Sequence, residues 1–214
     1  MITSRRNPIV RRLRSLAKKE GREEHSSLLL EGTHLLEEAL KTDFLPKEIV
    51  ATSLWFDNHQ ELVSRISSEI SFVLVSKDVL EASLTTVNPD GVASLFPLKA
   101  LPKSKKEANF VLALDRLQDP GNLGTILRTM DGVGATNCIL LNECTDPFSY
   151  EAVRASMGAI FSVKVIASTN QKFFEWKKNN KISFIGTSLS NAVNYTKTDW
   201  KLPFVLVMGN EQNG

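Results

Sequence analysis

The chain has 214 residues, 42% hydrophobic and 23% charged, with a formal net charge of +2. These figures exclude a disordered or fibrous protein and fit one large globular domain or two small ones. No apolar run approaches the length of a bilayer span, and the Arg-rich start "MITSRRNPIVRRLRSLAKKEG" has no apolar core or small-residue cleavage site behind it. A cytoplasmic protein without a membrane partner is the expectation.

In chain order, the first segment is read as one basic helix. Arg5, Arg6, Arg11, Arg12, Arg14, Lys18, Lys19 and Arg22 crowd it, while Ile9, Leu13 and Leu16 hold the other face to a core. Two readings stand for the basic face, a solvated surface or a platform for a polyanion. Strands and helices then alternate: "SSLLLEG", "THLLEEALKTD", "KEIVATS", "NHQELVSRISSE", "SFVLVSK", "DVLEASLT" and "GVASLFPLKA". The polar stretch "LPKSKKEAN" interrupts the pattern near residue 100 and reads as a linker, giving expected domains of 1–100 and 107–214.

The second half restarts with "FVLALD", an apolar run of the kind found in strands buried on both faces. A helix over "NLGTILRTMDGVGA", the strand "NCILLNE", a helix over "SYEAVRASMGAIF", the strand "SVKVIAS", the helix "NQKFFEWKKNN" and the strands "KISFIGTSL" and "PFVLVMGNE" follow. Five strands separated mostly by helices predict a doubly wound α/β domain, with Phe173 and Trp176 as core packing. Cys138 and Cys144 read as reduced thiols; without CxxC spacing or a nearby histidine they do not predict a metal site.

The stretch "LDRLQDPGNLGTILRTMDGVGA" carries the chemistry. It is not a Walker A loop, because Thr125 and Ile126 follow Gly124 where Lys and Ser or Thr are required. Its GxxG spacing also argues against a dinucleotide fingerprint and a nicotinamide-dependent oxidoreductase. It offers Asn122, Gly124 and Arg128 as NxGxxxR. On a helix starting near Asn122, bare N–H groups at Gly121 and Gly124 and the Arg128 fork would converge on one phosphate-sized spot. The plainer alternative is a tight βα turn capped by Asn122 with Arg128 on the surface.

This stretch resembles the first motif of the SpoU-type (TrmH-family) RNA 2'-O-ribose methyltransferases of the SPOUT class. "EAVRASMGAIFSVKV" is similar to the segment that follows it in that family, and "FVLVMGNEQNG" to the family's GxExxG motif, with Gly209, Glu211 and Gly214 at matching places. "RNPIVRRLRSLAKKEGREEHSSLLLEGTHLLEEAL" resembles the small RNA-substrate-binding domain that often precedes these enzymes. The resemblance implies a small N-terminal α/β domain followed by a trefoil-knotted α/β domain. It also implies methyl transfer from S-adenosylmethionine to a ribose 2'-hydroxyl of ribosomal or transfer RNA, and a homodimer.

Position by position, the resemblance implies that Asn122, Arg128 and Glu211 shape the catalytic site. Thr187, Leu189 and Gly209 would hold the cofactor, and Arg11, Arg12, Arg14 and Arg154 would meet RNA. For Thr187, an ordinary strand-end threonine is an equal reading. Arg128 is expected to position a phosphate rather than to act as a base, because a guanidinium keeps its proton in proteins.

The 214 residues stop inside the second motif, before the family's third, which carries a Ser and an Asn used in catalysis and the final helix. Residues 1–214 alone are therefore expected to hold the cofactor at least about tenfold more weakly than a chain that continues, a loss of about 1.4 kcal/mol. Apolar side chains of "PFVLVMG" are expected to stand uncovered. A non-catalytic RNA-binding protein that keeps the methyltransferase fold is the alternative function.

Overall fold

In the first thirty residues a buried arginine shapes the chain. The computed structural model describes residues 1–42, 44–101, 110–180, 182–188 and 190–210. Where one basic helix is expected there are two, α1 (Pro8–Ser15) and α2 (Lys19–Glu24). Asn7 caps α1 by accepting from the Ile9 N–H, and Ile9, Val10 and Leu13 face inward. The break is enforced at Gly21, where a Cβ would lie 2.1 Å from the Ser15 carbonyl oxygen, so α2 folds back on the end of α1 only because no side chain is present. Arg22 is buried and donates to the carbonyls of Leu16 and Ala17, at 3.2 and 3.1 Å, beyond the end of α1.

The N-terminal sheet then builds from β1 (Ser27–Glu31), β2 (Glu48–Thr52), β3 (Ser71–Val75) and β4 (Val92–Pro97). Helices α3 (Thr33–Lys41), α4 (Ser53–Asn58), α5 (Gln60–Ser64) and α6 (Lys77–Ser83) connect them. Spatial order is β1-β4-β2-β3, with β4 antiparallel to both neighbours and β2 parallel to β3. The helix expected over 58–69 is instead two short helices that begin earlier, because the Thr52 hydroxyl caps the new start by accepting from the Trp55 N–H at 3.2 Å.

The second sheet is wholly parallel, in the order β7-β6-β5-β9-β8. Its strands are β5 (Phe110–Asp115), β6 (Asn137–Leu141), β7 (Lys164–Ser168), β8 (Ser183–Gly186) and β9 (Phe204–Met208), joined through α7 (Pro120–Gly132), α8 (Tyr150–Ser156) and α9 (Asn170–Asn179). All five residues of β6 are buried, as a strand covered on both faces requires. Phe173 of α9 packs with Val111, Ile139 and Val205 on one face of the sheet; Trp176 lies against that cluster. Leu123 and Leu127 of α7 share the other core with Leu112 and Leu114. The helix expected over 149–161 breaks after Ser156, where Met157 and Gly158 take φ of 51° and 95° and a 3-10 turn, Ala159–Phe161, follows. Along β9, Phe204 and Val205 are buried, Leu206 and Val207 half-buried and Met208 exposed.

The two sheets share one apolar core. Phe44 stacks on Phe96 with centroids 4.8 Å apart and meets Phe161 of the second half at 5.4 Å. A Cβ on Gly158 would sit 2.8 Å from the Glu38 Cβ, so the halves touch without side-chain space between them. Arg22 also pairs with Asp146, which precedes α8. Residues 102–109, which contain most of the expected linker, lie outside the described residues.

Candidate active site at the strand ends

The turn after β5 sets the position of α7. Asp119 accepts from the Asn122 N–H through Oδ1 at 2.6 Å and Pro120 opens the helix. This corrects the expected start: Asp119 is the cap, and Asn122 sits inside the first turn. Pro120 explains the earlier start, since its fixed φ suits the first helical position and its missing N–H would have no partner there.

Gly124 also departs from expectation. It is not an open N–H donor at a phosphate but the point where α7 crosses α8. A Cβ there would lie 2.5 Å from both the Ala152 carbonyl oxygen and the Ala155 Cβ, and 2.8 Å from the Ser156 nitrogen. Glycine is demanded by helix-on-helix contact rather than by a ligand.

Beside this turn, at the carboxyl ends of β5 and β9, is a cavity of about 390 Å³. Its lining includes Leu117, Asn122, Thr125, Thr187, Gly209 and Asn210. Asn122, Thr187 and Gly209, expected from motifs far apart in sequence, are thus brought together. A crevice outside the carboxyl ends of parallel strands is where open α/β sheets place their ligands. Thr187 extends the ladder too, its N–H donating to the Val207 carbonyl at 3.1 Å, so it is a strand-end threonine and a cavity residue at once.

Asn210 was not anticipated. Its amide donates to the Arg116 carbonyl at 2.7 Å and joins the end of β9 to the turn after β5. The signal was its place between Gly209 and Glu211, but a single Asn there says nothing of its partner. Leu189 and Glu211 lie outside the described residues.

Arg128 stands on the exposed side of α7 and is not among the residues lining the cavity. Six residues beyond Asn122, it begins about 9 Å further along the helix axis. On α1, Arg11 and Arg14 are exposed, whereas Arg12 turns to Glu48 and pairs with it. The groove beside them is lined by Arg11 and Arg12 but also by Glu24, Glu48 and His25, so it carries both signs of charge. Arg154 is exposed on α8, its Nη1 donating to the Tyr150 hydroxyl at 3.4 Å.

A larger cleft, about 590 Å³, lies between the sheets and is lined by Arg22, Leu98, Cys144, Asp146, Val163 and Lys164, among others; among the described residues, none of the expected site residues lines it. Cys138 and Cys144 are free thiols. Burial, with Cys144 beside it, pushes the Cys138 thiol up to about 12, and burial raises Cys144 as well. Among the described residues no group of three or more His, Cys, Asp or Glu could hold a metal ion, and no helix is long and apolar enough to cross a membrane.

Comparison with known proteins gives consistent matches along the chain. Residues 109–214 match the SpoU rRNA Methylase family and residues 7–94 the MRM3-like substrate binding domain. The whole chain aligns at 34% identity with 79% of an uncharacterized tRNA/rRNA methyltransferase, slr1673, of Synechocystis. It aligns at 30% with 83% of the 23S rRNA (guanosine(2553)-2'-O)-methyltransferase RlmP of Bacillus subtilis. The structure of an AdoMet-bound rRNA methyltransferase from Sinorhizobium meliloti superposes with a TM-score of 0.86 at 35% identity, over 100% of this chain and 82% of that one.

Proposed function

Because the chain belongs to the SpoU rRNA methylase family, we propose that residues 1–100 hold structured RNA while residues 107–214 methylate a ribose in it. The enzyme transfers a methyl group from S-adenosylmethionine to a ribose 2'-hydroxyl of ribosomal or transfer RNA. The observation that carries the site assignment is the meeting of Asn122, Thr187 and Gly209 on one cavity at the parallel strand ends.

The cavity fits the cofactor in kind. Its volume of about 390 Å³ lies within the range of about 300–1,000 Å³ usual for small-molecule sites. Gly209 adds no side chain, so backbone can approach a ligand there. In our reading Thr187, Leu189 and Gly209 hold the cofactor, which supplies a methyl group on a positively charged sulfur. The ribose 2'-oxygen forms the new bond to the methyl carbon as the carbon–sulfur bond breaks. The hydroxyl proton leaves to solvent or a base, and the sulfur departs as a neutral thioether.

Asn122 and Glu211 shape the site around that oxygen. Arg128 grips the phosphate beside the target ribose with its planar fork, which fixes the ribose. Arg11, Arg14 and Arg154 are exposed and meet further phosphates. Arg12, paired with Glu48, contributes from a held position. We further propose that the protein works in the cytoplasm as a homodimer.

Incubation with methyl-labelled S-adenosylmethionine and unmodified ribosomal and transfer RNA tests the function. Label on a ribose, seen as a linkage that resists alkali, is the expected outcome. Label on a base would overturn the 2'-hydroxyl assignment. RNA binding without incorporation would favour the non-catalytic alternative.

A further inference from the structure

One chain of polar groups crosses from the N-terminal sheet to α8. The Glu31 carboxylate, at the end of β1, accepts from the Thr85 N–H at 2.9 Å, the Thr86 N–H at 2.8 Å and the Thr86 hydroxyl at 2.6 Å. The Thr86 hydroxyl oxygen also lies 3.1 Å from the Tyr150 hydroxyl, and Arg154 Nη1 donates to that same Tyr150 oxygen at 3.4 Å. A hydroxyl has one proton to give. With the Thr86 proton committed to the carboxylate at the shorter distance, Tyr150 must donate to Thr86, which leaves its own oxygen free to accept from Arg154. Every bond therefore runs in one sense, from the guanidinium to the carboxylate, and each strengthens the next.

We propose that Tyr150 is a positioning residue for RNA, orienting the Arg154 guanidinium from an anchor, Glu31, that belongs to the other half of the molecule. This inference rests on the reading that Arg154 meets an RNA phosphate. Without the relay an exposed arginine samples many rotamers, and ordering it on binding costs side-chain entropy. With it, the fork is partly oriented before RNA arrives, and its orientation depends on how the two halves are docked. Glu31, Thr86 and Tyr150 touch no RNA in this account; they act through Arg154.

Tyr150→Phe removes one hydroxyl and keeps the ring, and Thr86→Val removes the other hydroxyl while leaving the backbone bond to Glu31. RNA affinity is measured against salt for wild type, Tyr150→Phe, Thr86→Val, Arg154→Ala and the Tyr150→Phe/Arg154→Ala pair, with unmodified ribosomal RNA as the probe. Arg154→Ala should lower affinity about tenfold and flatten the salt slope by about 1. Each hydroxyl variant should weaken RNA binding about threefold while S-adenosylmethionine affinity stays unchanged; Thr86→Val, which also loses a bond to the Glu31 carboxylate, should melt a few degrees lower, whereas Tyr150→Phe should not. The double variant should be no weaker than Arg154→Ala alone, since the hydroxyl has nothing left to orient. An unchanged slope in Arg154→Ala removes the phosphate contact, and with it the relay's purpose. A normal slope loss in Arg154→Ala with no effect of Tyr150→Phe, or with losses that add in the double variant, overturns the positioning role alone.

Discussion

The two faces of α7 use the same thirteen residues for opposite ends. On the inward face Leu123, Gly124, Leu127 and Met130 are buried, and Gly124 lets the helix lie directly on α8. On the outward face Asn122, Thr125, Arg128 and Thr129 are exposed, and two of them line the strand-end cavity. The inward face spends its side chains on packing, so it determines where the helix is held. The outward face contributes little to packing, so its residues are free to be chosen for chemistry. A motif read as one functional unit therefore divides into a structural half and a reactive half, one residue apart in places.

Gly124→Ala tests the inward face hardest. Its Cβ would meet a backbone oxygen at 2.5 Å, an atom that cannot swing aside, so α7 and α8 must separate. Urea unfolding should show a loss of about 3 kcal/mol, and methyl transfer should fall too as Asn122 moves with its helix. A variant as stable as wild type would show that the crossing yields without cost, and the division between faces would lose its basis.

Arg128→Ala is the outward counterpart. The residue is exposed, so the melting temperature and S-adenosylmethionine affinity should remain as they are, while methyl transfer falls about a hundredfold, or about 2.7 kcal/mol of transition-state stabilisation. Arg128→Lys should recover little, because a point charge does not reproduce the planar fork. Near-normal turnover in Arg128→Ala would take this residue out of the mechanism and make the outward face mere surface.

The smallest effect concerns Cys138, in the core on which the inward face rests. Its thiol is pushed from 9.0 to about 12 by burial, so the folded chain holds this proton more tightly than the unfolded one. The contribution is complete below pH 9.0 and is lost as pH rises toward about 12. In that window stability should fall by up to about 1.4 kcal/mol per pH unit from this group. Lysines and tyrosines titrate there as well, so the measurement is the difference between wild type and Cys138→Ala in urea unfolding from about pH 8 to about pH 10.5. Parallel curves would mean that water reaches the thiol and that the core beneath α7 is looser than the packing indicates.

Much of this was legible beforehand. The alternation of short apolar runs with 3.6-periodic segments predicts two α/β units and a parallel second sheet, because strand and helix periods are local properties of neighbouring residues. Asn122, Thr187 and Gly209 could be nominated from motifs. Their meeting could not, since it follows from β9 inserting between β5 and β8.

What the sequence determined by itself was therefore the family, the element types and the candidates for chemistry, all of which depend on residue type and short-range spacing. Only the tertiary structure decided which of those residues serve packing. Gly21 and Gly124 are required by contacts with Ser15 and with Ala152 and Ala155, not by turns or ligands. Of the arginines counted with the basic face, Arg12 is half-buried and tied to Glu48, 36 residues away, and Arg22 is buried against Asp146, 124 residues away. A buried guanidinium must find a carboxylate or carbonyls, or its burial costs several kcal/mol, roughly, in lost hydration. Nothing within one helix reveals that a partner waits so far along the chain, which is why the charge pattern alone overstated the free basic surface.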